Sequence, residues 1–254
     1  MRKAEKALLR VGLMRELLTV ADILEQKGIC PDVGPLRTAA KQCKECGGDH
    51  WGYEVSNLIM RLEPDPGTFP VELRSIDGRV SVRAAGLCDQ ANSGADPMTM
   101  LEVSLSVEGI LPSTGRRFVQ YWHFDRHISD ANSAEPAAAH PRYHFHFGGR
   151  QMRSLVETDG PGSLGFVLLM DGPRLAHAPM DGVLIIDFML SNFAGEAWRE
   201  LRDDAAYTRL MYAAQKRNWI PFISALKNHW HRQAGVPLWE GVDVWPSLCL
   251  GEGV

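Results

Sequence analysis

The sequence has no apolar run long enough to cross a bilayer. The stretch from Gly182 to Leu190, with Asp181 at its edge and Asp187 inside it, is too short to span. Met1-Arg2-Lys3-Ala4-Glu5-Lys6 leads into a segment broken by Arg10, Arg15 and Glu16, so neither a signal peptide nor a membrane anchor is expected. Charge of one sign is not in excess. The 27 Lys+Arg against 31 Asp+Glu leave a net charge of −4, which excludes a general nucleic-acid coat and leaves nucleic acid only as a local substrate. Cysteine is scarce and odd in number: Cys30, Cys43, Cys46, Cys88 and Cys249. A disulfide framework is not expected, and a reducing, cytoplasmic compartment fits best. The motifs of two large enzyme classes are also missing. Gly160-Pro161-Gly162-Ser163-Leu164-Gly165 lacks the Gly-Lys-Ser/Thr ending of a phosphate loop and reads as a turn, and no Gly-x-Ser-x-Gly occurs.

What is present reads as one globular domain. With 254 residues, 45% hydrophobic and 23% charged, the chain can bury a sizeable core, and disorder is a poor reading. Leu9, Leu13, Leu17, Val20 and Leu24 recur at helical steps between Ala4 and Gln26, and a shorter helix is expected from Leu36 to about Cys43. Val55, Leu58, Ile59 and Leu62 favour a helix over Trp51 to Leu62. Asp77-Gly78, between Val71–Arg74 and Val80–Arg83, reads as a hairpin turn. Leu101, Val103, Leu105 and Val107 alternate with polar residues as in a half-buried strand. Strands are also expected from Arg117 to His127 and from Arg142 to Phe147. A proline-led apolar helix follows from Pro179 to Phe193, then helices over Glu196–Arg217 and Trp219–Arg232. The expected fold class is therefore α+β: an antiparallel meander sheet packed against amino-terminal and carboxyl-terminal helices. Its segments are helical over 1–63, sheet over 69–150 and helical over 160–234, with an irregular tail over 235–254.

The chemistry concentrates between Tyr121 and Gly148, where His123, His127, His140, His144 and His146 fall together. A period of two puts Tyr121, His123, Asp125 and His127 on one strand face, with Gln120, Trp122 and Phe124 on the other. The second strand puts His144 and His146 opposite Tyr143, Phe145 and Phe147. Antiparallel pairing would unite the two aromatic sets in the core and the two polar sets on the open side. His123, Asp125, His144 and His146 could then hold a divalent transition metal such as zinc. Alternatively, His123, Asp125, His127, His144 and His146 could act as acid–base groups on a phosphodiester, with Tyr121 and with Arg142 or Arg150 (or Arg153) holding the phosphate. The same histidines could equally hydrogen-bond their neighbours on a half-exposed sheet and do no chemistry.

Cys43-Lys44-Glu45-Cys46 with His50 resembles half of a zinc knuckle, but no second ligand pair follows at the usual distance. Trp219, Trp230, Trp239 and Trp245 make the carboxyl-terminal region aromatic enough to bind a protein partner. His229 and His231, two apart on a helix, point in different directions, and Asp203 and Asp204 read as a solvated helix face.

The run His140-Pro141-Arg142-Tyr143-His144-Phe145-His146-Phe147-Gly148, with the later run from Pro173 to Phe193, resembles a group of uncharacterised bacterial proteins. These carry an H-P-x-x-H-x-H-x-G strand followed by a proline-led apolar helix ending in Asn-Phe. The histidine-rich strand is also similar to that of TumE-type toxins. The resemblance covers about residues 140–193. It implies a bacterial protein, of a toxin–antitoxin or defence locus, and carries over no catalytic residue beyond His140 and His144 as matching positions. The function expected is a metal-dependent or acid–base phosphodiester hydrolase, with a non-enzymatic interaction subunit or regulator as the alternative.

Overall fold

The computed structural model describes residues 2–62, 72–73, 75–90, 95–126, 141–148, 152 and 175–231. Its centre is a six-stranded antiparallel meander in the order β1 (His50–Leu62), β2 (Ile76–Leu87), β3 (Met100–Ile110), β4 (Arg117–Arg126), β5 (Tyr143–Phe147), β6 (Leu175–Ala176). Helices α1 (Lys3–Gln26) and α2 (Gly34–Glu45) precede it, and α3 (Gly182–Phe193), α4 (Gly195–Asp203) and α5 (Ala205–His231) follow. The α+β architecture is the one the element order implies. Among the described residues no helix is long and apolar enough to cross a membrane.

Strand alternation explains the two faces. Val80, Val82, Ala84, Leu101, Val103, Leu105, Phe124 and Tyr143 are fully buried on one of them. Helix α3 lies against that face, with Phe188 5.5 Å from Phe145 and Phe193 5.1 Å from Trp122, ring centre to ring centre. On the other face, Glu54, Arg83, Glu102, Asp125 and His144 form one cross-strand row from β1 to β5. Ser81, Ser104, His123 and His146 form the next.

The segment from Trp51 to Leu62 is a strand, not a helix. Trp51, Tyr53 and Val55 are buried at every second position, and so are Leu58, Met60 and Leu62. Between Val55 and Leu58 the register against Val82 and Val80 gains one residue, a β-bulge at which Asn57 has φ 52°. That extra residue breaks the period of two and produces the three-and-four spacing that imitates a helix. Asp77-Gly78 is likewise no turn: it sits within β2, where Gly78 pairs with Met60. A Cβ on Gly78 would lie 2.9 Å from Leu62 Cδ1 and 3.4 Å from Met189 Sδ. The glycine serves the close packing of α3 on β2 rather than a chain reversal.

The carboxyl-terminal helices also divide differently. Helix α3 begins at Gly182, where the Asp181 side chain accepts from Val183 N and Leu184 N, both at 3.1 Å. The break between α4 and α5 falls at Asp204, whose Oδ1 accepts from Ala206 N and Tyr207 N. Asp204 is therefore a helix cap, part-exposed beside the exposed Asp203, while Pro221 lies inside α5.

Arg217 on α5 ties three helices together. Its guanidinium donates to both Glu16 carboxylate oxygens on α1 and to Asp181 at the start of α3, at 2.6–2.8 Å. Asn218 donates to Asp181 as well. Burial alone would push the Arg217 proton off, but Asp181 and Glu16 outweigh it and hold the group charged. The ion pairs are compensated by the α3 N-terminus and by Asn218, as buried charge requires.

Gly78→Ala should destabilise the fold by about 1–3 kcal/mol through overpacking. Chemical denaturation measures this; an unchanged midpoint would contradict the close approach of α3 to β2.

Candidate metal centre

The register of β4 and β5 decides which side chains meet. His123 pairs with His146 and Asp125 with His144, so all four lie on the face away from α3. The complementary set, Trp122 with Phe147 and Phe124 with Phe145, lies on the helix side. The pairing expected from alternation is thus the one observed. His144 is not on an open surface, however: it is 4% exposed, whereas the side chains of His146 and Asp125 are 20% and 31% exposed.

Asp125, His144 and His146 each offer a ligand atom within 4.8 Å of the others. His146 Nε2 lies 3.6 Å from Asp125 Oδ2. In a tetrahedral shell with donors about 2.1 Å from the ion, donor pairs lie about 3.4 Å apart. The His146–Asp125 pair is already close to that spacing, and the third donor, within 4.8 Å of both, would draw closer around an ion. This is a two-histidine, one-carboxylate set of the kind that suits zinc or non-haem iron. His144 Nδ1 lies 3.1 Å from the Pro141 carbonyl oxygen. A carbonyl only accepts, so Nδ1 carries the hydrogen, and in the neutral ring Nε2 then bears the lone pair, as a metal-bound histidine braced by a backbone carbonyl requires.

His123 stands beside this group rather than in it. Its ring stacks on that of His146 at 5.4 Å, and Nδ1 is 3.5 Å from Ser104 Oγ. Burial lowers its proton affinity, Asp125 opposes that and His146 adds to it. Tyr121 lies in the row beyond His123, opposite Ser106. Arg142 is held against Asp96, with Nη1 3.4 Å from Oδ2. His127, His140, Arg150, Arg153 and the glycine-rich 160–165 segment lie outside the described residues. So do Trp239, Trp245 and the rest of the tail, and the side chains of His229, Trp230 and His231. Trp219 is part-buried and donates to the Pro179 carbonyl.

Sequence spacing did not reveal Asp96. This buried carboxylate, 5% exposed, accepts from Tyr143 Oη, from Arg126 Nε and Nη2 at 3.1 and 3.0 Å, and from Met98 N. Burial and then Asp96 raise the Tyr143 hydroxyl well above its ordinary range, so it remains a donor. Asp96 lies in a loop whose composition, rich in Asp, Asn, Ser and Gly, carries no positional signal.

Cys43, Cys46 and His50 do not converge. Among the described residues the group of Asp125, His144 and His146 is the one whose ligand atoms meet. Cys43 is buried with Sγ 3.9 Å from the Arg10 carbonyl, while Cys46 Sγ is 3.3 Å from that of Gly52. Burial pushes the Cys43 thiol up to about 12, far from the thiolate that a metal or an electrophile needs. In native protein at pH 8, iodoacetamide should label Cys46 and spare Cys43, with mass spectrometry reading the sites. Labelling of Cys43 at the rate of an unburied thiol would contradict its placement in the α2–β1 interface.

Compared with known proteins, the chain matches no family model, no curated protein and no solved structure.

Proposed function

We propose that the protein is a metal-dependent hydrolase whose centre is built from Asp125, His144 and His146. The observation that carries this reading is the convergence of their ligand atoms within 4.8 Å on adjacent, register-locked strands. A bound divalent ion would polarise the scissile group and lower the pKa of a coordinated water toward neutrality.

The side chains divide the remaining work. His144, buried and tautomer-fixed by the Pro141 carbonyl, is the rigid ligand. Asp125 and His146 are part-exposed and leave the site accessible from the sheet face. Three protein ligands leave a coordination position for water or substrate, the distinction between a catalytic and a closed structural site. His123, whose ring stacks on that of His146, would be the group to pass a proton between water and leaving group. The proposed substrate class is a phosphodiester. Arg142, two residues before His144, is the nearby cation on which an anionic substrate would draw, and its guanidinium is oriented by Asp96.

Untagged full-length protein should carry about one equivalent of a transition metal by elemental analysis, and His144→Ala/His146→Ala should carry none. The metal-loaded wild type should hydrolyse bis(p-nitrophenyl) phosphate. Asp125→Asn should lower kcat/KM by at least tenfold, and the double variant should reduce hydrolysis to background. Metal in the wild type without turnover of phosphodiesters would overturn the substrate class. Equal metal content in wild type and double variant would overturn the site.

A further inference from the structure

We infer that Asp96 is a positioning residue for this centre, acting through Arg126 and Tyr143 to fix the distance between Asp125 and His144. The inference rests on the proposed metal site and adds the part of the fold that shapes it.

Arg126 and Tyr143 are the cross-strand pair next to Asp125 and His144. Strand alternation turns Arg126 and Tyr143 toward the helix side, beneath the polar pair. Asp96 reaches both: Oδ2 takes Nε and Nη2 of Arg126, and Oδ1 takes the Tyr143 hydroxyl. Arg142 Nη1 adds a third residue of the same two strands' ends at 3.4 Å from Oδ2. Arg126 Nη1 also donates to the Thr99 carbonyl at 3.2 Å, and Thr99 N donates to the Ala85 carbonyl at 2.8 Å. One carboxylate is thereby tied through β4 and β5 to the body of the sheet. It bridges the strands at a point where β5 is only five residues long and has the two-residue β6 on its outer side. A strand that short has few ladder hydrogen bonds to hold its register, so an arginine that donates twice to one carboxylate oxygen and a buried phenol carry a large share of the constraint. Contacts made directly to metal ligands change metal affinity by about ten- to a hundredfold when removed, and the clamp, which acts on the neighbouring pair, is expected to fall within that range.

The test uses Co²⁺ as probe on the full-length metal-free protein. Dissociation constant and visible ligand-field spectrum are read for wild type, Asp96→Asn, Tyr143→Phe and Gly78→Ala. Gly78→Ala is the control for lost stability, because it weakens the packing of α3 on β2 and touches no member of the clamp. The inference predicts that Tyr143→Phe weakens Co²⁺ binding about tenfold and Asp96→Asn about a hundredfold. It further predicts an altered d–d band in both, while Gly78→Ala keeps the wild-type affinity and spectrum. Should Asp96→Asn fail to fold, Tyr143→Phe alone decides, since it removes a single hydroxyl. Wild-type affinity and spectrum in Tyr143→Phe would overturn the inference while leaving the metal site standing. An equal loss in Gly78→Ala would also overturn it, by showing that general stability sets the affinity. No Co²⁺ binding by the wild type would overturn both the site and the inference.

Discussion

A slip of β5 by one residue against β4 would turn every β5 side chain to the opposite face, moving His144 and His146 to the helix side and Tyr143 and Phe145 to the polar side. The register that prevents this is the constraint on which the rest depends. Tyr143, fully buried, and Phe145, packed on Phe188, oppose it from the core, because turning large aromatic side chains out of it costs several kcal/mol. Asp96 opposes it by direct bonding to Arg126 and Tyr143. The polar pair above is aligned by what is held below.

The helices cover the aromatic face of those strands. Asp181 caps α3 and, through Arg217, is joined to Glu16 on α1, so the first helix and the last fix where α3 begins. From that start Phe188 and Phe193 fall against Phe145 and Trp122. A buried ion network thus fixes the start of the helix that covers the aromatic face of β4 and β5. The histidine face is its reverse side.

Much of this was legible in the sequence, and the failures have physical reasons. The alternation in Trp122–Asp125 and Tyr143–Phe147 gave the faces of the site strands directly, since period two survives wherever no bulge intervenes. It misled at β1, where the extra residue around Asn57 made Val55, Leu58, Ile59 and Leu62 look helical. Gly78 misled because a glycine required for packing is indistinguishable, in one sequence, from a glycine required for a turn. Asp204 resembled a surface acid until its two backbone donors were seen. Within the site, spacing brought Asp125, His144 and His146 together correctly. His123 stands beside that group, with its ring stacked on that of His146. Asp96 could not be found from spacing, being about thirty residues from Arg126 in sequence and joined to it only by the fold.

The central claim is that a transition ion binds the β4–β5 face through two imidazoles and one carboxylate. X-ray absorption at the zinc edge of the zinc-loaded full-length protein tests it most directly. Two imidazole nitrogens with oxygen completing the shell, at about 2.0–2.1 Å and without sulfur, are predicted. Sulfur at about 2.3 Å would place the ion among the cysteines instead and contradict the account.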